Sequence, residues 1–184
     1  MAEDRFNLQS KLPGKVVEVE STQGDPVVTL SPDGLLDSFR VLKEDSELGF
    51  NFLMDLTVVD YLGRKNPRFQ VVYQLYSLGH NHCLRVKVPV SEDNPQVASL
   101  TPLWKTANWL EREAWDMFGI RFAGHPDLRR ILLYEEFQGH PLRKDYPVNQ
   151  VQPLVPERVV DGTFVDRASN DKLLQLQQRF GHKT

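Results

Sequence analysis

The side chains best placed to do chemistry lie in one stretch, Trp109 to Leu133, which reads WLEREAWDMFGIRFAGHPDLRRILL. It holds the carboxylates Glu111, Glu113 and Asp116, the guanidinium groups of Arg112, Arg129 and Arg130, and His125. Two chemistries suit such a set. Two carboxyl groups facing one substrate can do general acid–base work. Arginine and carboxylate can instead lock two elements together through parallel hydrogen bonds, most firmly where the charges are partly desolvated and must be paired. Glu111 and Glu113 are two apart on a helix and do not share a face, which counts against the first chemistry. Arg112 and Asp116 are four apart on one face, a pair worth about 0.2–0.5 kcal/mol if exposed. Glu111 and Trp115 form a second set at that spacing. Glu113, Asp116, Arg129 and Arg130 are expected to crowd around a short glycine-containing turn beside Trp109, Trp115, Phe118 and Phe122. The reading is a rigid charged knuckle that locks helix to turn or presents a docking surface. An autonomous enzyme built on Glu113, Asp116 and His125 is the sharper alternative, and turnover by the purified chain alone would reveal it.

A second cluster follows: Gly139, His140, Pro141, Leu142, Arg143, Lys144, Asp145, Tyr146 and Pro147. Its prolines restrict the chain and Gly139 permits a tight bend. Arg143 and Lys144 could clamp an anion or meet an acidic partner; a fixed turn with surface charges is the plain reading. His80, His82 and Cys83 form the only metal-like grouping, in one hairpin turn, with distant His125 or His140 to complete it. Against a metal, two turn histidines and a cysteine opening a strand need no ligand. Against a Cys83 nucleophile, His82 would point to the opposite face of a strand. A single cysteine excludes an intrachain disulfide and any four-cysteine zinc or iron–sulfur site within this chain. No GxGxxG run, phosphate loop, HExxH run or serine elbow is present.

The elements that must position these groups are legible from periodicity. Lys15–Glu20 and Pro26–Leu30 read as short strands with a turn at Gly24-Asp25, and Ser31-Pro32 opens a helix carrying Leu35, Leu36, Phe39 and Leu42. Phe52–Tyr61, Phe69–Leu78 and Cys83–Val90 alternate apolar and polar residues, and their short links favour an antiparallel meander. Thr101-Pro102 starts a second helix, with Leu103, Ala107, Leu110, Ala114 and Met117 as one stripe and Gly119 as terminator. The expectation is an α+β two-layer sandwich over residues 1–133: a mainly antiparallel sheet with helices on one face. From residue 134 the character changes. Residues 134–168 carry Pro141, Pro147, Pro153 and Pro156 yet keep large apolar side chains, so residues 134–184 read as an extended partner-binding C-terminal arm, with Ser169 capping a short last helix that carries Leu173, Leu174, Leu176 and Phe180.

The whole chain, 184 residues with 40% hydrophobic and 26% charged, fits such a domain with an appended segment. Net charge is -3, and the basic groups are interleaved with acids, which argues against a nucleic-acid stripe. No apolar run approaches the roughly 20 residues that span a bilayer. The start of the chain does not read as a signal peptide, so a reducing compartment is expected.

The two clusters together resemble one family. EREAWDMFGI, then RFAGHPDLRRIL, then GHPLRKDYP is similar to the thirty-kilodalton subunit of respiratory complex I, the C-type subunit of the bacterial proton-translocating NADH–quinone oxidoreductase. The resemblance rests on Glu111, Arg112, Glu113, Trp115, Asp116, Phe118, Gly119, His125, Pro126, Arg129 and Arg130, and on Gly139, His140, Pro141, Arg143, Asp145 and Tyr146. It implies a structural subunit with no catalytic, cofactor-binding or metal-ligating residue of its own. FMN, iron–sulfur clusters and quinone would belong to the surrounding complex. The implied partners are the large forty-nine-kilodalton, D-type subunit and its neighbours in the hydrophilic arm. The implied location is peripheral on the cell membrane, cytoplasmic side, held there only through the complex. Related subunits of membrane-bound hydrogenases and plastid complexes share the pattern, so the electron donor stays open, and a stand-alone protein-binding module is the remaining alternative.

Overall fold

The computed structural model describes residues 4–22 and 24–153. In chain order the elements are α1 (Leu8–Lys11), β1 (Val16–Thr22), β2 (Asp25–Leu30), α2 (Leu35–Glu44), β3 (Phe52–Asp60), β4 (Phe69–Ser77), β5 (His82–Val90), β6 (Gln96–Ala98), α3 (Ala107–Phe118) and β7 (Arg121–Ala123).

Five strands form one sheet in the order β1-β2-β5-β4-β3. The β3–β4–β5 meander is antiparallel throughout, as the short links require. The hairpin β1–β2 joins it by laying β2 parallel to β5, Val28 opposite Val86. That pairing could not be read from alternation, because parallel neighbours are set by a long crossover, here through α2, β3 and β4. On β4 the buried parity is Phe69, Val71, Tyr73 and Leu75; on β5 it is Leu84, Val86, Val88 and Val90. On β3 an extra residue between Leu53 and Asp55 changes the parity. Leu53 and Leu56 consequently both face inward, and Val58 and Asp60 follow them.

Both longer helices cover that inward face, so the α+β sandwich with helices on one side is the observed architecture. Helix α2 buries Leu35, Phe39 and Leu42. The Phe39 ring sits 4.8 Å from Tyr73 and 6.0 Å from Trp104, which ties α2 to β4 and to the lead-in of α3. Helix α3 lies against β3. Polar pairs occupy the opposite face of the sheet, with Arg85 donating to Gln74 at 3.2 Å and Lys87 paired to Glu20 at 2.7 Å.

Three local details differ from the sequence reading. Helix α2 starts at Leu35, after Gly34 at φ 66°, because Ser31 Oγ accepts from Asp33 N in a tight turn of its own and caps no helix. Helix α3 starts at Ala107; residues 100–104 form a separate turn in which Leu100 O accepts from Leu103 N and Trp104 N. A parallel pair of three-residue strands, β6 and β7, joins the entry and exit of α3, where the sequence reading placed no strand. The first compact unit of the chain runs from Met1 to Gln152, beyond the 133/134 division expected from composition. The terminal helix expected from Ser169 lies outside the described residues.

Candidate functional site

Asp116, on the last turn of α3, is fully buried. Its Oδ2 accepts from three successive backbone amides, Ile131 at 3.1 Å, Leu132 at 2.9 Å and Leu133 at 3.0 Å. Its Oδ1 accepts from Arg130 at 2.6 Å. Burial alone would push this carboxyl up, but the amides and the guanidinium outweigh it and hold Asp116 below the usual carboxylate range. The second arm of Arg130 donates to Phe137 O at 2.8 Å and Gly139 O at 3.1 Å, and the guanidinium lies over the rings of Trp115 and Phe137. One cation therefore joins the helix, the 131–133 turn and the 137–139 loop.

The expected pairing of Arg112 with Asp116 does not form. Arg112 donates to the carbonyls of Arg129 at 3.1 Å and Arg130 at 2.9 Å and lies over Trp109. A buried cluster of amides with an arginine outcompetes an i,i+4 pair that is worth a few tenths of a kcal/mol. Nor do all four expected charges crowd the turn. Arg129 pairs with Asp127 in solvent at 2.9 Å, and Glu113 is exposed. His125 clips the turn to α3: its Nε2 meets Asn108 O at 3.1 Å and its Nδ1 accepts from Asp127 N at 3.0 Å, with Pro126 exposed beside it.

The second cluster folds back on the end of α3. The last carbonyls of a helix lack partners within it and carry its negative partial charge. Here His140 Nδ1 meets Asp116 O at 3.0 Å, Leu142 N donates to Met117 O at 3.1 Å and Arg143 Nε donates to Phe118 O at 2.5 Å. Burial, with Arg143 and Arg130 nearby, lowers the His140 imidazole, so it sits neutral and donates from Nδ1. Gly119 is required twice over. Its φ is 74°, and a Cβ there would stand 2.6 Å from His140 and 2.7 Å from Arg143. Gly139, at φ 89°, likewise leaves room for the Tyr146 ring, which stacks on Phe137 at 6.2 Å. Arg143 is thus spent on the helix end and is not an anion clamp. Pro141 is half-buried in the same turn.

The strap reaches a second anchor at the end of the sheet. Asp145 receives two hydrogen bonds from Arg68, at 2.7 and 3.1 Å. Arg68 is buried, holds Asp60 through two bonds at 2.9 and 2.7 Å, and reaches Glu92 at 2.6 Å. Lys144 N and Leu62 N also donate to Asp60, each at 2.9 Å. The Arg68 hydrogen bonds hold Asp60 down to about 2 against its desolvation, and lower Asp145 as well. Arg68 and Arg143 both lie over the Phe69 ring, at 4.7 and 5.2 Å. The sequence reading passed over Asp60, Arg68 and Glu92. A signal existed for the first: Asp60 shares strand parity with Leu56 and Val58 and so had to be a buried acid with a partner.

Glu111 stands apart from this network. It is fully buried near the start of α3 and accepts from Leu100 N at 2.6 Å and Ser99 Oγ at 2.7 Å. Burial pushes its carboxyl up to about 7 in spite of those two bonds. At the other end of the sheet, His80 and His82 stack and bond to Ser46 O at 3.0 Å and Leu48 O at 2.8 Å, while Cys83 faces Asp25. Among the described residues no group of three or more His, Cys, Asp or Glu is placed to hold a metal, and no helix is long and apolar enough to cross a membrane.

Of the charges that the sequence marked, Arg112, Asp116, Arg130, Arg143 and Asp145 thus fasten one segment of the chain to another. Residues 28–152, which include every one of them, match the family model described as respiratory-chain NADH dehydrogenase, 30 Kd subunit. The chain belongs to that family. It is 51% identical over 141 residues to the C-type subunit of NADH-quinone oxidoreductase from Roseiflexus castenholzii, covering 77% of this chain and 80% of that one. It is 46% identical over 143 residues to the corresponding subunit of Geotalea uraniireducens, covering 78% and 85%. Among solved structures it is similar to a trypsin-resistant fragment (1-134) of Nqo5, with a TM-score of 0.59, 37% identity, and coverage of 66% of this chain and 94% of that one. A chain of an archaeal membrane-bound sulfane sulfur reductase shares the fold, with a TM-score of 0.67 at 19% identity, covering 86% and 95%. As a member of this family the chain is a complex I subunit of the C type.

Proposed function

We propose that the chain is a brace in the hydrophilic arm of a proton-translocating NADH–quinone oxidoreductase, carrying no cofactor and doing no chemistry of its own. It supports the quinone-reducing module by packing against the forty-nine-kilodalton subunit and its neighbours on the cytoplasmic side of the membrane, which it reaches only through the complex. FMN, iron–sulfur clusters and quinone are held by those partners; a chain with one cysteine cannot supply the four thiolates of a cluster.

The observation that carries this reading is the use to which the signature charges are put. Asp116, Arg130, His140, Arg143 and Asp145 are consumed in fastening the strap 137–146 to α3 and to Arg68. Among the charged and polar residues that this scaffold also exposes stand large apolar side chains: Leu132 is 62% exposed and Leu142 53%, with Tyr134, Val148 and Val151 along the same stretch. Large exposed side chains on a stiffened segment suit a permanent protein partner. The charges make the shape, and the apolar groups make the contact.

Arg130→Ala tests the proposal. Breaking a buried ion pair from one side leaves Asp116 with its three amides but without its cation, at a cost of up to about 3–5 kcal/mol. The amount of assembled complex in membranes is expected to fall, while the quinone KM of the complex that remains stays at the wild-type value. A changed KM with full assembly would place these residues at the substrate and end the brace reading.

A further inference from the structure

We infer that Glu111 is a buried proton-binding site, reached from the surface through the hydroxyls of Ser99 and Thr101. This goes beyond the brace and does not depend on it. The geometry has three parts. First, the carboxylate is fully enclosed and no salt bridge reaches it among the described residues; its partners are Leu100 N–H and the Ser99 hydroxyl. An enclosed carboxylate without a cation is costly in its charged form. Second, a row of oxygens leads outward. Glu111 Oε2 is 2.7 Å from Ser99 Oγ, and Ser99 Oγ is 2.8 Å from Thr101 Oγ1. Thr101 is partly exposed and lines a surface groove with Trp109 and Pro126. Third, either hydroxyl of the Ser99–Thr101 pair can donate, and the Ser99–Glu111 bond, donated by Ser99 to the carboxylate, can be donated by the carboxyl once it is protonated.

With Glu111 ionised, Thr101 donates to Ser99 and Ser99 donates to Glu111. With Glu111 neutral, its own O–H donates to Ser99 Oγ and Ser99 donates to Thr101 Oγ1. Thr101 N donates to Ser99 Oγ at 3.2 Å in either arrangement. The switch moves one proton inward from solvent: each hydroxyl accepts one and releases one, and the carboxylate ends as a neutral carboxyl. No heavy atom has to move.

The surroundings leave the carboxylate to titrate by itself. On β4 the Tyr73 hydroxyl is buried and without a hydrogen-bond partner among the described residues; burial raises that phenol, and the Glu111 charge raises it further. On α3, Arg112 is turned to the 129–130 carbonyls, Asp116 is bound by Arg130, and Glu113 is exposed. On α2, Lys43 donates to Leu103 O over the Trp104 ring. On β3, Asp60 is held by Arg68 and Asp55 is exposed; on β7, Arg121 is exposed. The upward shift of Glu111 to about 7 follows from that enclosure.

Infrared difference spectra of the full chain, with glutamate carbons isotopically labelled, would read the proton directly. On titration from about pH 9 to about pH 5, one glutamic-acid C=O band is expected to grow with a midpoint near neutrality and to be lost in Glu111→Gln. Thr101→Val leaves both direct partners of the carboxylate in place, so its band should keep the wild-type midpoint while hydrogen–deuterium exchange of the carboxyl slows. If Glu111→Gln fails to fold, the wild-type titration and Thr101→Val still decide. A wild-type chain with no such band at about pH 5, or with the band already full at about pH 9, would overturn the site. Unchanged exchange in Thr101→Val would overturn the hydroxyl route.

Discussion

Asp116 and Glu111 stand on one helix, both fully buried, and carry opposite solutions to the same problem. Asp116 is compensated by an arginine and three amides and is held low; Glu111 has an amide and a hydroxyl and is pushed up to about 7. Their contributions to stability run in opposite directions with pH. Because the folded Glu111 binds its proton more tightly than the ordinary 4.5, its contribution is fully present below about 4.5 and is lost as pH rises through 7. Asp60, lowered to about 2 from 3.8, contributes fully above 3.8, and that contribution is lost as pH falls through 2. The urea midpoint of the wild type should therefore fall relative to that of Glu111→Gln between about pH 5 and about pH 8, the lowered His140 contributing equally to both. Parallel curves would show that Glu111 does not titrate in that window. Gly119→Ala should lower stability by well over about 1 kcal/mol, since a left-handed residue gains a Cβ that His140 and Arg143 already occupy. A thermal melt within a degree or so of wild type would mean that the strap does not seat where the structure has it.

At the scale of elements, alternation made the meander legible, because each strand of β3–β5 keeps its apolar residues on one parity and has short links. The same logic reached α2 and α3, whose stripes fall at helical spacing, though not their starts. Ser31-Pro32 and Thr101-Pro102 carry capping chemistry that a turn uses as readily as a helix does. The ion pairs were less legible. Which carboxylate meets which arginine depends on where the chain turns back, and only the strap, dozens of residues downstream, brings Asp145 to Arg68. The load on α2 is simpler. Phe39 is fully buried against Tyr73 and Trp104, so Phe39→Ala should cost about 3–5 kcal/mol through the cavity it leaves. A denaturant midpoint that barely moved would argue against the packing of α2 on β4.

For the whole molecule, composition suggested a body ending at residue 133 and an arm seated on another protein. Residues 134–152 instead complete the body's own helix end and sheet end before any partner is involved. The prolines and glycines that read as an extended arm are what let the chain make that return. Ending the chain after Leu133 would strip the carbonyls of Asp116, Met117 and Phe118 and leave Arg68 and Asp60 without Asp145 and Lys144 N. The loss should be on the order of 3–5 kcal/mol, seen as a lower urea midpoint and faster proteolysis of the body. A shortened chain as stable as one ending at residue 152 would return the strap to the role of a mere tether.

The parallel seat of β2 beside β5 also sets an order of assembly. During synthesis the β1–β2 hairpin leaves the ribosome first, yet its place in the sheet does not exist until Arg85–Lys87 have emerged and paired with β4. Until then β2 lacks its neighbour, and the α2 face whose Phe39 packs on Tyr73 of β4 waits uncovered as well. The chain's most hazardous interval in the cell is therefore early, and a factor that shields nascent apolar surface would act on its first third.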